Sequence, residues 1–106
     1  MFSSESKMEA REIAPGVTRK ILTYNDELMV CEFKLKKGSG VPEHHHEHIQ
    51  NTYIVSGKLK MEMEGNAREC SAGEAILMGR NVPHKVTALE DSWVVDSFTP
   101  ARKDFL

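Results

Sequence analysis

Leu59, Met61 and Met63 alternate strictly with Lys58, Lys60, Glu62 and Glu64. That period of two narrows the range of possible folds more than any other feature of the sequence. Successive side chains on a β-strand point to opposite faces, so such a run buries one side and wets the other. Met29, Cys31, Phe33 and Leu35 repeat the pattern against Val30, Glu32, Lys34 and Lys36. Tyr53 and Val55 form a shorter run closed by Ser56-Gly57, and Glu64-Gly65-Asn66 has the composition of a hairpin turn. Residues 67–71, 75–79, 83–89 and 92–99 are further strand candidates. Helical periodicity is nearly absent: residues 5–13 have mixed periodicity and suit either a helical turn or an edge strand. Many short strands at regular turn spacing predict an all-β sandwich or barrel. Phe33, Tyr53, Met61, Met63, Met78 and Trp93 are expected to pack it, with a subunit contact as the alternative place for Trp93.

A chain of 106 residues is one domain by length. Its formal charge of −2 and the lack of a dense basic run speak against a nucleic-acid partner. No apolar stretch approaches the roughly 20 residues of a membrane-spanning helix, and Met1 to Lys7 has no apolar signal-peptide core. A cytoplasmic protein without a membrane partner is the resulting expectation. Cys31 and Cys70 are too few for a disulfide framework and sit in strand-like sequence, so buried free thiols are expected.

The chemistry concentrates in Glu43-His44-His45-His46-Glu47-His48-Ile49-Gln50, with a fifth histidine, His84, in Asn81-Val82-Pro83-His84. On a continuous strand His44, His46, His48 and Gln50 share one face, while His45 points away. Imidazole is the commonest protein ligand for first-row metals. Two histidines two apart, a carbonyl donor and one distant histidine make a compact metal site once the chain folds. A solvated loop, a tag remnant or an adventitious surface site are the plainer readings of the histidine string. The glycine punctuation on both sides of it weighs against all three.

That punctuation is where a family resemblance lies. Gly38, five residues, His44, one residue, His46, three residues, Gln50, six residues, Gly57 resembles the first cupin motif. Gly73, five residues, Gly79, one residue, Asn81, two residues, His84 keeps the spacing of the second. Gln50 stands where the first motif usually has Glu, and Gly79, Asn81 and Ala88 replace the usual Pro, Gly and Asn of the second. The resemblance covers about residues 30–99. It implies a double-stranded β-helix, the jelly-roll barrel of cupins, with one divalent transition metal (Ni, Fe, Mn, Co or Zn) held by His44, His46, Gln50 and His84. His48 lies at the rim in this picture.

The C-terminal sequence is similar to the small cupins of pectin and alginate degradation. In that group a metal and a nearby Asp, Phe and Arg convert 4,5-unsaturated monouronates to linear keto sugars. Asp96, Phe98 and Arg102 match the order and spacing of that trio. The resemblance therefore implies a metal-dependent isomerase-type enzyme acting on a small sugar acid. Another cupin enzyme, a dioxygenase or a sugar isomerase, is a second reading, and a non-catalytic metal-dependent binding module is a third. The expected organisation is an N-terminal segment over 1–25 with edge strands, a barrel over 26–100 and a tail over 101–106. A small barrel with an exposed sheet edge is expected to form a homodimer through residues 8–24.

Overall fold

The computed structural model describes residues 1–106, and the alternating runs become ten strands. They are β1 (Arg11–Ala14), β2 (Val17–Tyr24), β3 (Met29–Leu35), β4 (Gly40–His44), β5 (Ile49–Ser56), β6 (Lys58–Met63), β7 (Asn66–Ser71), β8 (Ala75–Met78), β9 (His84–Ala88) and β10 (Ser92–Thr99). The mixed-period N-terminal segment holds both forms that its pattern allowed: a 3-10 turn at Glu5–Lys7, then the edge strand β1. A second 3-10 turn, Lys103–Phe105, closes the chain.

Two antiparallel sheets face each other, six strands in the order β1-β2-β3-β10-β5-β8 and four in the order β4-β9-β6-β7. This is the all-β jelly-roll expected from the sequence. β1 and β2 belong to the same sheet as β3 and β10, so the N-terminal strands are built into the barrel wall. The interior parity of each strand fills the space between the sheets. Met29, Ile54, Met78 and Phe98 from the larger sheet and Leu59 from the smaller one are at most 1% exposed. Cys31 and Cys70 are buried free thiols, and burial pushes the Cys31 thiol up to about 12.

Two tight connections set the register. Glu64 and Gly65 both have positive φ (54° and 77°), the two-residue turn that matches strand twist, and Met63 pairs with Asn66 across it. Gly57 joins β5 of one sheet to β6 of the other at φ 94°, and an added Cβ there would collide with Ser92 Oγ and Asp91 O. Only glycine fits this crossing.

Three expectations need correction. Tyr53 is 46% exposed and lies on the outer face of the larger sheet, because its neighbours Thr52 and Ile54 take the interior parity. Trp93 is also on the outer parity, half-buried beneath Lys34, whose Nζ is 5.3 Å from the ring centroid. The histidine string is not one strand: β4 ends at His44 in the smaller sheet and β5 begins at Ile49 in the larger one. Residues 45–48 bridge the gap between sheets, so strand alternation does not govern His46 and His48.

Candidate metal centre and its cavity

His44 and His84 are cross-strand partners on β4 and β9. Their rings approach to 4.3 Å between centroids, and His46 comes in from the bridging loop, 5.1 Å from the His84 ring. The second glycine frame anchors this loop. Asn81 takes positive φ (58°) and its N–H donates to His46 O at 2.8 Å, while Arg80 Nη1 donates to Glu47 O at 3.0 Å. Sequence segments more than thirty residues apart, around His46 and Asn81, are thus tied together beside the site.

One ligand atom from each of His44, His46 and His84 lies within 4.8 Å of the others, a cluster that can hold a metal ion. The backbone fixes which nitrogens are free. His44 Nδ1 is 2.9 Å from Pro42 O, His46 Nδ1 3.0 Å from His48 O, and His84 Nδ1 2.8 Å from Val82 O. A carbonyl only accepts, so each Nδ1 carries the proton and each Nε2 keeps its lone pair. Metal-ligating histidines are oriented by such hydrogen bonds. His84 Nε2 is buried without any hydrogen-bond partner, a costly state unless something else binds it. Burial, the positive charge of Arg102 and a neighbouring imidazole hold His46 and His84 below the ordinary histidine range, which favours the neutral, metal-binding form.

Gln50 reaches the same point. Its amide N–H groups go to Thr52 Oγ1 at 3.1 Å and Asp96 Oδ2 at 3.0 Å. Its carbonyl oxygen is thereby turned toward His46 Nε2, 3.0 Å away. Since His46 carries its proton on Nδ1, two lone pairs face each other at that distance, and a cation between them converts repulsion into attraction. The donor set and this orphaned contact fit a resident divalent metal.

Asp96 sits under the cluster on β10, opposite Thr52 of β5. Thr52 Oγ1 lies 2.6 Å from Asp96 Oδ1, so both carboxylate oxygens are engaged. Burial raises the Asp96 carboxyl to about 7, against the opposing pull of Thr52 and Arg102. Phe98 follows two residues later on the same face, its ring 6.1 Å from His46. Arg102, just past β10, lays its guanidinium 5.2 Å from the Phe98 ring centroid. His44, Gln50, His84, Asp96, Phe98 and Arg102 all line one cavity of about 220 Å³, smaller than the usual drug-sized ligand pocket. His45 is exposed and His48 stands outside the triad, its ring 5.6 Å from that of His46. The structure adds Thr52, in phase with Gln50 on β5 but marked by no motif in the sequence, and Phe105, which lines the cavity from the C-terminal turn.

A β-barrel with three histidines from both halves of a paired glycine frame is the architecture of a cupin, and the cupin domain family matches residues 31–95. The chain belongs to that family. Within it, the chain is 38% identical over 97 residues to the pectin degradation protein KdgF of Dickeya dadantii, covering 90% of this chain and 88% of that protein. The structure of KdgF from a Halomonas species superposes with a TM-score of 0.96 at 35% identity, covering all of this chain and 98% of that one. An RmlC-like cupin from Shewanella frigidimarina gives a TM-score of 0.95 at 30% identity, with 99% of this chain and 95% of the other covered.

Proposed function

We propose that this cupin is a metal-dependent enzyme that opens and ketonises 4,5-unsaturated monouronates released from pectin or alginate. The observation that carries this reading is the shared cavity: two histidines of a cluster fit for a metal, a buried carboxyl raised toward neutrality and a half-buried arginine all line it. Similarity to two KdgF proteins, one of them a pectin degradation protein, supports the substrate class.

His44, His46 and His84 through Nε2, with Gln50 through Oε1, are the residues that would hold the metal. Three imidazoles and an amide carbonyl are a donor set that would suit a divalent first-row metal such as Ni, Fe, Mn, Co or Zn. All four ligands are neutral, so the ion keeps its double charge and supplies Lewis acidity toward the sugar oxygens when bound.

The remaining roles fall to the chain itself. Ring opening removes the proton of the anomeric hydroxyl, forms the aldehyde carbonyl and breaks the bond from the anomeric carbon to the ring oxygen. The ring oxygen, which is bonded to the alkene, keeps the electron pair of that bond and becomes an enolate oxygen. Ketonisation then adds a proton to the alkene carbon C4 and leaves a ketone. One proton leaves oxygen and one arrives at carbon, so a single carboxyl that accepts and then donates completes the cycle without a co-reactant. Asp96 carries that proton, and its elevated pKa suits both directions near neutral pH. Phe98 gives the sugar ring a flat apolar wall. Arg102 binds the uronate carboxylate through its planar fork.

Arg102→Ala is expected to raise KM at least tenfold and to change kcat less, because the carboxylate is bound before the reaction as well as during it. Loss of alkene absorbance of the unsaturated monouronate, followed across substrate concentrations with metal-replete protein, measures both. A variant with unaltered KM would remove Arg102 from the substrate contact. The chain is also expected to dimerise through its β1 edge, where Ile13 is 39% exposed. Light scattering at micromolar protein should give twice the chain mass of 12.0 kDa, and a monomer mass would end that expectation.

A further inference from the structure

Arg102 is itself held in place. Its Nε donates to Asp104 Oδ1 at 3.1 Å and its Nη2 to Asp104 Oδ2 at 2.9 Å, a bidentate pair along one edge of the guanidinium. The Phe105 ring centroid is 4.2 Å from Arg102 Cζ, and the other side of this contact network is Arg19, with its Cζ 4.0 Å from the same ring. Arg19 Nη2 also donates to Phe105 O at 3.4 Å. The Lys103–Phe105 turn therefore grips the Arg102 head through a carboxylate and a ring, and it is itself pinned to β2 through Arg19.

The exposures divide the labour. Arg102 has 12% of its side chain exposed and lines the cavity, whereas Asp104 has 58% exposed and is not part of the lining. Asp104 thus grips the arginine from outside the cavity lining. Using the Nε edge leaves Nη1 and the second Nη2 proton for another carboxylate, so both acids fit on one guanidinium. The Arg102 hydrogen bond lowers the Asp104 carboxyl from the ordinary aspartate value, so it stays ionised in this role.

We propose that Asp104 is a positioning residue for the substrate carboxylate: it fixes the orientation of Arg102, so that the free edge of the fork already faces the cavity when the sugar arrives. This rests on the reading of Arg102 as the carboxylate-binding group. The pair is partly exposed and local, so it adds little to stability. Its contribution is preorganisation of a flexible side chain, which appears in substrate binding.

The test uses full-length, metal-replete Asp104→Asn and Asp104→Glu proteins. Asp104→Asn is expected to raise KM for the unsaturated monouronate about tenfold with kcat within about twofold, since it loses one of the two charge-assisted bonds and the charge itself. Asp104→Glu restores the carboxylate and is expected to recover most of the affinity. An independent readout is the Arg102 Nε–H resonance, assigned by its disappearance in Arg102→Lys. It should exchange slowly with solvent in the parent protein and rapidly in Asp104→Asn. Unchanged KM in Asp104→Asn would overturn the proposal. A lower KM would also overturn it, identifying Asp104 as a competitor that the substrate displaces. A parent protein without turnover would end the uronate reading instead. The positioning role would then be decided by the Nε–H exchange and by calorimetric affinity for D-galacturonate, whose carboxylate needs the same fork.

Discussion

Asp96→Asn is expected to keep its metal and its fold while losing a hundredfold or more in kcat, the usual cost of removing a general acid–base group. The substitution is nearly isosteric. The asparagine oxygen can accept from Gln50 Nε2 where Asp96 Oδ2 now does, and its amide can donate to Thr52 Oγ1. Gln50 therefore keeps its orientation toward His46, so metal content should match the parent. The proton carrier alone is gone. The pH dependence has a definite sign. The proposed cycle begins with the ionised carboxylate, so kcat/KM of the parent should rise as Asp96 loses its proton, around pH 7 where burial outweighs the pull of Thr52 and Arg102, and lower when a cation sits nearby. Stability runs the other way. In the metal-free protein the folded carboxyl keeps its proton up to about 7, whereas an unfolded aspartate loses it near 3.9. The native state binds more protons between those values, so this group costs stability as pH rises through them. Metal-free Asp96→Asn should consequently melt at or above the parent temperature at pH 8. A variant that turns over at the parent rate would exclude Asp96 from proton transfer.

The period of two made the sheets legible, and strands such as Leu59-Lys60-Met61-Glu62-Met63 lie where the alternation puts them. The same rule failed on Tyr53 and Trp93 for one physical reason. Their strands carry the site, so polar residues hold interior positions: Gln50 and Thr52 on β5, Ser92 and Asp96 on β10. The interior parity then looks hydrophilic, and large apolar residues on the opposite parity look like core. Glu32 keeps the outer parity that its alternation gives it on β3, yet it is only 2% exposed, with Lys34 Nζ 3.6 Å from its carboxylate. Spacing brought out the histidines, but not how they meet. His44 and His84 are joined by strand register, whereas His46 is placed by a loop between sheets and by its contact with Asn81. Asp104 left no mark in the sequence, because a carboxylate two residues beyond Arg102 becomes informative only when the C-terminal turn folds against the cavity mouth.

His84→Ala is expected to abolish metal binding, because His84 is the most enclosed member of the cluster, at 3% exposure, with an Nε2 that nothing else in the protein satisfies. Elemental analysis should find one divalent metal per chain in the parent and essentially none in the variant. Thermal melting separates this from simple damage to the core. A ligand that binds only the folded state at about a hundred times its dissociation constant adds about 2.7 kcal/mol, which for a domain of this size is a rise of roughly 10 °C or more in Tm. The parent should lose that increment on chelation and regain it when metal is restored. His84→Ala should melt at one temperature in either condition, whatever that temperature is. Part of that increment is expected to come from relief of a contact that the metal-free protein carries. Without the ion, relief of the 3.0 Å contact between His46 Nε2 and Gln50 Oε1 takes either a proton on His46 or a rotation of Gln50 that surrenders its bonds to Thr52 and Asp96. A bound metal would thus hold Gln50, and through it Asp96, in register as well as supply Lewis acidity. A parent protein whose melting is indifferent to chelator and to added Ni, Fe, Mn, Co and Zn would refute the metal centre, and with it the chemistry assigned to this cavity.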